Sequence, residues 1–205
     1  MDVEAVTIDA FGTLVALRDP VPALQCALEA RGVSRSPNEV RRAFEAEVAY
    51  YVPRSHEGRD EAALALLRRD CAAVFLDAAG ADALDPGEFP FVTCLEFELM
   101  PGARDASCTL QLAGLRLAVV SNWDISLSAH LRQLGLDLPV ITSAEAGAAK
   151  PAPAVFRLAL SRLGVDDPTH AVHVGDSPAD AEGAAAAGLR FEPAPLADAA
   201  RRILA

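Results

Sequence analysis

The stretch that decides the fold is Val6-Thr7-Ile8-Asp9-Ala10-Phe11-Gly12-Thr13-Leu14. Residues 5–9 are a short apolar run that ends in a carboxylate, and such a run predicts a buried parallel strand with Asp9 at its carboxyl end. A Gly-Thr turn follows at residues 12–13. From about residue 103 onward, strand and helix patterns alternate. This alternation predicts an α/β fold with a doubly wound parallel sheet.

Further elements can be placed from hydrophobic periodicity and turn residues. The later strands are predicted at 115–121, 140–142, 171–174 and 189–192. The helices between them are predicted at 103–113, 126–134, 152–163 and 178–187.

A helical block interrupts this pattern after the first strand, from about residue 20 to residue 95. Ser36-Pro37-Asn38-Glu39 is a capping box with proline at the first helical position, and Val40, Phe44, Val48 and Tyr51 then fall on one helical face. The stretch 85–99 has no clear assignment. We therefore expect an α/β core domain at 1–15 and 100–205, and a helical cap domain at 16–99.

Composition limits the classes of partner. The 205 residues are 52% hydrophobic and 23% charged, which suits a folded core, and the net charge is −11. So acidic a chain, with no run of Lys or Arg, argues against nucleic acid and anionic membrane as partners. No apolar run reaches the ~20 residues that span a bilayer. The N-terminus is acidic where a signal peptide is basic, so the expected location is cytoplasmic.

Polar side chains follow the ends of several predicted strands. Asp9 ends the first strand, Ser121-Asn122 ends the second, Lys150-Pro151 opens a helix, and Gly175-Asp176-Ser177-Pro178-Ala179-Asp180 follows the strand at 171–174. Because ligands of doubly wound sheets bind at the carboxyl ends of the strands, we expect these side chains to meet at one edge. A carboxylate there can act as a nucleophile, and two or three carboxylates can bind Mg²⁺. A lysine and a hydroxyl can hold the oxygens of a transferring phosphoryl group.

These motifs, in this order, resemble those of the haloacid dehalogenase-like hydrolase superfamily, a Rossmannoid fold, and the resemblance covers nearly the whole chain. It implies that Asp9 is the nucleophile. Mg²⁺ would lie between Asp9, the main-chain carbonyl of Phe11 and Asp176, with Asp180 near or in its shell. Ser121, Asn122 and Lys150 would bind the phosphoryl group. The helical block resembles the family's cap, and the substrate would be a small phosphorylated metabolite.

Asp180 and Lys150 each have a second interpretation. Ser177 suits a helix N-cap with Asp180 at the third helical position, where a carboxylate stabilises a helix without any metal. We give Asp180 structural and metal roles equal weight. Lys150 is the only lysine among 18 basic residues, and a compact ammonium suits a crowded phosphoryl site. His173 is interpreted as structural.

Phe11 departs from the pattern of the phosphatases, which carry a second aspartate two residues after the nucleophile as general acid and base. Dehalogenases of the superfamily carry an aromatic residue there, but they lack the Gly-Asp metal site of the fourth motif. Three hypotheses follow: a Mg²⁺-dependent phosphatase, a 2-haloacid dehalogenase, and a binding protein without catalysis. The sequence indicates neither the substrate nor the oligomeric state.

Overall fold

A computed structural model describes residues 3–205, and the first two residues of the acidic N-terminal stretch lie outside it. The chain divides into two compact units. The first holds the residues up to Ala16 together with Glu98–Ala205, and the second is Leu17–Phe97. The sequence-based interpretation of the second unit as a cap domain stays a prediction.

The described chain contains seven strands and nine α-helices. The strands are β1 (Ala5–Ile8), β2 (Val15–Leu17), β3 (Phe97–Leu99), β4 (Arg116–Ser121), β5 (Val140–Thr142), β6 (Ala171–Gly175) and β7 (Arg190–Pro193). The helices are α1 (Val21–Glu29), α2 (Pro37–Tyr51), α3 (Glu61–Ala78), α4 (Ala103–Leu112), α5 (Leu127–Gln133), α6 (Ser143–Ala146), α7 (Ala154–Leu163), α8 (Pro178–Ala187) and α9 (Leu196–Leu204). Short 3₁₀ segments lie at Val52–Glu57, Val92–Cys94 and Pro168–His170.

The first unit is built on a five-stranded parallel sheet in the order β5-β4-β1-β6-β7. Ile8 pairs with Val119 on one side and Val174 on the other, so β1 is the central strand. The chain builds outward from β1 through β4 to β5 and then returns to the other side of β1. This reversal of strand order creates a crevice at the carboxyl ends of β4, β1 and β6. The α/β class and the doubly wound parallel sheet are confirmed.

Helices flank this sheet, and its three inner strands β4, β1 and β6 are buried because both faces are covered. One apolar cluster joins strand residues such as Val120 and Ile141 to Phe156 of α7 and Ala184 of α8. Helix α4 packs against α9, and these helices contact β4 and β6 respectively.

The second unit is helical and has its own apolar core. Ser36 and Glu39 form the expected capping box at the start of α2, and Asp60 caps α3 through the backbone N–H of Ala63. Leu67, Cys71 and Phe75 of α3 are buried in this core. Val48 was placed on one face of α2 with Val40 and Phe44. Its side chain is exposed, whereas Val40 and the neighbouring Glu47 are buried.

Several short elements were not predicted. β2 and β3 have three residues each and pair in a separate two-stranded sheet, and α6 is a single turn. α9 was also missed. No helix in residues 3–205 is long and apolar enough to cross a membrane.

Glu47 provides a test of packing in the second unit. Burial raises the pKa of Glu47 from 4.5 to about 7, although the Cys71 thiol, which donates a hydrogen bond to it, has a lowering effect. Folding therefore favours the protonated acid, and stability falls as the pH rises from about 4.5 towards about 7. Glu47→Gln should be more stable than wild type by on the order of 3 kcal/mol at pH 8, and by less than about 1 kcal/mol at pH 5. Urea unfolding at the two pH values measures this.

The matched control is Glu45→Gln, because Glu45 is an exposed residue on the same helix. It should change stability little at either pH. A Glu47→Gln effect that is the same at pH 5 and pH 8 would contradict the burial of an ionisable carboxyl at this position.

Candidate active site

Asp9 lies immediately after the central strand and is buried, with 5% of its surface exposed. Its backbone N–H donates to the carbonyl of Val174 at 2.8 Å, which fixes the turn against β6. Its Oδ1 accepts a hydrogen bond from the Ser121 hydroxyl at 3.2 Å and another from the Lys150 ammonium. Both donors use Oδ1, so Oδ2 is the oxygen left available for a ligand or a reaction.

Lys150 is a buried cation, with 7% of the residue exposed. Its Nζ forms ion pairs with Asp9 and, at 2.5 Å, with Oδ1 of Asp180. It also donates to the carbonyl of Val120 at 3.2 Å. A buried ammonium needs such partners, because desolvation is costly unless the charge is paired and hydrogen-bonded. The only lysine of the chain therefore joins the first and fourth motifs.

Asn122 fixes the loop that carries Lys150. Its Oδ1 accepts from the Lys150 backbone N–H at 2.6 Å, and its Nδ2 donates to the Lys150 carbonyl at 3.1 Å. Both ends of the amide are therefore bound to the backbone of one residue. The predicted role of Asn122 in binding phosphate stays a prediction, and the contacts that the structure adds are to the lysine loop.

Asp176 follows β6 and is exposed. Its carboxylate lies directly over Gly12, where an added Cβ would come within 2.0 Å of Oδ2. Gly12 has a φ of +84°, a conformation that side chains with a Cβ rarely adopt. Glycine at this position therefore permits both the turn after β1 and the close approach of Asp176.

Asp180 is buried and lies at the third position of α8, where it forms a capping box with the expected N-cap residue Ser177. Its Oδ2 accepts from the Ser177 backbone N–H at 3.1 Å and from the Ser177 hydroxyl at 2.5 Å. Its Oδ1 accepts from Lys150 and from Nε2 of His173 at 3.0 Å. This last contact was missed in the sequence, because the spacing along the chain does not show that the His173 ring on β6 reaches the start of α8.

The three carboxylates have different electrostatic environments. Burial raises the pKa of Asp9 to about 6, against the lowering effect of the Lys150 charge. Partial burial and the charge of Asp180 raise the pKa of Asp176. Burial would raise the pKa of Asp180 too, but the hydrogen bond from His173 and the charge of Lys150 outweigh it and hold that pKa well below its usual range.

The donor set fits a hard divalent cation. One carboxylate oxygen from each of Asp9, Asp176 and Asp180 lies within 4.8 Å of the others. Such oxygen ligands suit Mg²⁺ or Mn²⁺, and a cation would relieve the repulsion that raises the pKa of Asp176. The buried Thr13 hydroxyl is the one buried side-chain polar atom in residues 3–205 without a hydrogen-bond partner. A bound oxygen ligand or water could satisfy it.

Phe11 and Trp123 form an aromatic pair in the same unit. Their ring centroids are 6.5 Å apart, and Phe11 is 51% exposed whereas Trp123 is buried. The Phe11 side chain cannot donate or accept a proton. An exposed phenyl group two residues after Asp9 offers an apolar contact where a second carboxylate would offer acid–base chemistry.

A family model described as haloacid dehalogenase-like hydrolase matches residues 3–188. The chain belongs to this family. The resemblance that the motifs indicate is thus confirmed, and members of this family generally use a divalent metal.

The curated relatives of this haloacid dehalogenase-like hydrolase match over part of their length. It is 45% identical to haloacid dehalogenase-like hydrolase domain-containing protein 3 of Xenopus laevis over 42% of this chain and 36% of that protein. It is 39% identical to ribulose-1,5-bisphosphate 5-phosphatase of Halopiger xanaduensis over 58% of this chain and 53% of that protein. The matched segments thus span about a third to a half of these relatives.

Solved structures of the superfamily share the fold. A defluorinating L-2-haloacid dehalogenase has a TM-score of 0.70 at 20% identity, covering 99% of this chain and 96% of that one. A phosphatase of the superfamily from Thermococcus onnurineus has a TM-score of 0.62 at 25% identity, covering 98% of each chain. Dehalogenases and phosphatases both resemble this protein, so the fold does not decide between the two activities.

The packing of Gly12 under Asp176 leads to a test of the metal site. Gly12→Ala should push the Asp176 carboxylate away and weaken Mn²⁺ binding by about 10–100-fold. This is the range, about 10–100-fold, typical of substitutions at residues that hold a metal ligand in place. Isothermal titration calorimetry with Mn²⁺ measures this directly. The matched control is Gly114→Ala, since Gly114 has a φ of +87° but no atom within 4 Å of an added Cβ.

Gly114→Ala should carry the same backbone strain and bind Mn²⁺ as wild type does. Equal loss of Mn²⁺ binding in both variants would mean that strain alone explains the effect. Unchanged Mn²⁺ binding in Gly12→Ala would mean that Asp176 is not a metal ligand.

Proposed function

We propose that this protein is a Mg²⁺-dependent phosphatase that uses Asp9 as nucleophile and acts on a small phosphorylated molecule. The observation that carries the proposal is the cluster of Asp9, Asp176 and Asp180 oxygens within 4.8 Å, with Lys150 paired to two of them. A dehalogenase attacks carbon and needs no cation for this. The Gly175-Asp176 pair is therefore better explained by chemistry on a phosphate.

In the proposed first step, Oδ2 of Asp9 forms a bond to phosphorus and the bond from phosphorus to the leaving oxygen breaks. Ser121 and Lys150 hold Oδ1, which orients the nucleophile, and Lys150 offers positive charge to the transferring group. Bound Mg²⁺ would supply the charge that offsets repulsion between the anionic substrate and the carboxylates. Asp9 and Asp176, with the main-chain carbonyl of Phe11, would hold it.

In the second step, water attacks the phosphorus of the aspartyl phosphate, the bond to Asp9 breaks, and phosphate and free Asp9 result. The leaving oxygen takes up one proton in the first step, and the attacking water gives up one in the second. Phe11 can neither donate the first proton nor accept the second. We therefore infer that phosphates with weakly basic leaving groups, such as aryl phosphates, react faster than alkyl phosphates.

The helical unit Leu17–Phe97 is proposed as the cap that selects the substrate. The relative named ribulose-1,5-bisphosphate 5-phosphatase supports a sugar phosphate as one substrate to assay.

The direct test is hydrolysis of p-nitrophenyl phosphate and ribulose 1,5-bisphosphate with Mg²⁺. The wild-type protein should release phosphate, and Asp9→Asn should reduce release to the background rate because an amide is not a competent nucleophile. EDTA should abolish turnover, and added Mg²⁺ should restore it. Release that is equal in wild type and Asp9→Asn would reject the phosphatase proposal.

A second candidate, a 2-haloacid dehalogenase, is favoured by one observation, the exposed aromatic ring of Phe11 beside Trp123. In that reaction Asp9 would displace halide from carbon, with no cation required. Chloride release from 2-chloropropionate that persists in EDTA would establish this activity, and its absence would exclude it for this substrate.

Phe11→Asp tests what the missing carboxylate costs. A carboxyl group in place of the exposed ring should supply the absent proton transfer. It should raise the rate of hydrolysis of an alkyl phosphate by on the order of 10²-fold, with a smaller gain for p-nitrophenyl phosphate. The matched control is Phe11→Asn. Asparagine has the same size as aspartate but no carboxyl proton to transfer, so this variant should give no such gain. Steady-state kinetics on the two substrates measure the difference.

Equal gains on aryl and alkyl phosphates would contradict the explanation by proton transfer. No hydrolysis by either wild type or Phe11→Asp would favour the third hypothesis, a protein that binds without turnover.

A further inference from the structure

His173 lies on β6 under the site and is fully buried. Both of its ring nitrogens have polar partners: Nδ1 lies 2.9 Å from the Thr7 hydroxyl, and Nε2 lies 3.0 Å from Oδ1 of Asp180. The ring stands edge-on to Phe156, with 4.9 Å between the centroids. A buried histidine bonded at both nitrogens has a fixed position and a fixed ring orientation.

The direction of these hydrogen bonds follows from the partners. An ionised Asp180 can only accept, so Nε2 carries the hydrogen and donates it. Nδ1 then has a free lone pair, and the Thr7 hydroxyl donates to it. Burial lowers the pKa of His173, which agrees with a neutral ring in the Nε2–H form.

The carboxylate of Asp180 is fully used by these contacts. His173 and Lys150 donate to Oδ1, and the backbone and hydroxyl of Ser177 donate to Oδ2. Each carboxylate oxygen has about two lone-pair sites, so the four donors occupy all of them. A cation could bind Asp180 directly only by displacing one of the donors.

We propose that His173 is a positioning residue: by fixing the Asp180 carboxylate, it holds the Lys150 ammonium against the nucleophile Asp9. This inference rests on the proposed function for its effect on turnover. Its consequence for the histidine tautomer does not depend on turnover.

The kinetic arm uses His173→Leu, which removes the donor, and His173→Gln, whose amide can still donate to Asp180. With p-nitrophenyl phosphate at saturating Mg²⁺, His173→Leu should lower kcat by about 10–100-fold with little change in KM, and His173→Gln should recover most of kcat. Phe156→Leu is the packing control, since it disturbs the same buried ring contact without removing a hydrogen bond. It should lower the unfolding midpoint but leave kcat near the wild-type value.

If Phe156→Leu lowers kcat as much as His173→Leu does, packing alone explains the effect and the proposal is wrong. Long-range ¹H–¹⁵N spectra of the metal-free wild type should show the Nε2–H tautomer of His173, and an Nδ1–H tautomer would also reject it. If the wild type hydrolyses no phosphate ester at all, the proposed function fails, while the tautomer measurement still decides whether His173 donates to Asp180.

Discussion

The buried ammonium of Lys150 is the interaction on which the site depends. It lies between the carboxylates of Asp9 and Asp180, which come from opposite ends of the chain. Removing one member of a buried ion pair typically costs on the order of 3–5 kcal/mol, because the remaining charge stays desolvated. The site therefore requires β1, the Lys150 loop and the start of α8 to be in place together. The same contact stabilises the fold and orients the Asp9 carboxylate.

The sheet order explains how distant segments meet. β1 is central, and β4 and β6 pair with it on either side, so the residues after these strands share one edge. Asp9, Ser121 and Asp176 follow from this topology, and Asn122 then anchors the Lys150 loop. Glycine at position 12 lets the first turn approach the Asp176 carboxylate closely. Backbone packing thus brings together carboxylates whose mutual repulsion a cation would offset.

Much of this arrangement could be predicted from the sequence, because apolar runs, glycine turns and capping boxes are local signals. The strands of the main sheet were predicted to within a residue or two, and the N-cap of α8 at Ser177 was also predicted. The three-residue strands β2 and β3 were missed, since so short a segment shows no measurable alternation of apolar and polar residues. The contacts of Asn122 and His173 could not be predicted, because they depend on which residue lies opposite across the fold. Whether Asp180 supports Lys150 or binds metal was likewise open.

The central claim is that Asp9 and Asp176 share one cation beside Lys150. A crystal structure of the protein grown with Mg²⁺ and the phosphate mimic beryllium fluoride tests it most directly. The account predicts a single ion coordinated by a carboxylate oxygen of each aspartate at about 2.0–2.1 Å, with the Asp180 carboxylate still on Lys150 and His173. An ion bound elsewhere, or Asp9 and Asp176 carboxylates too far apart to share one, would contradict it.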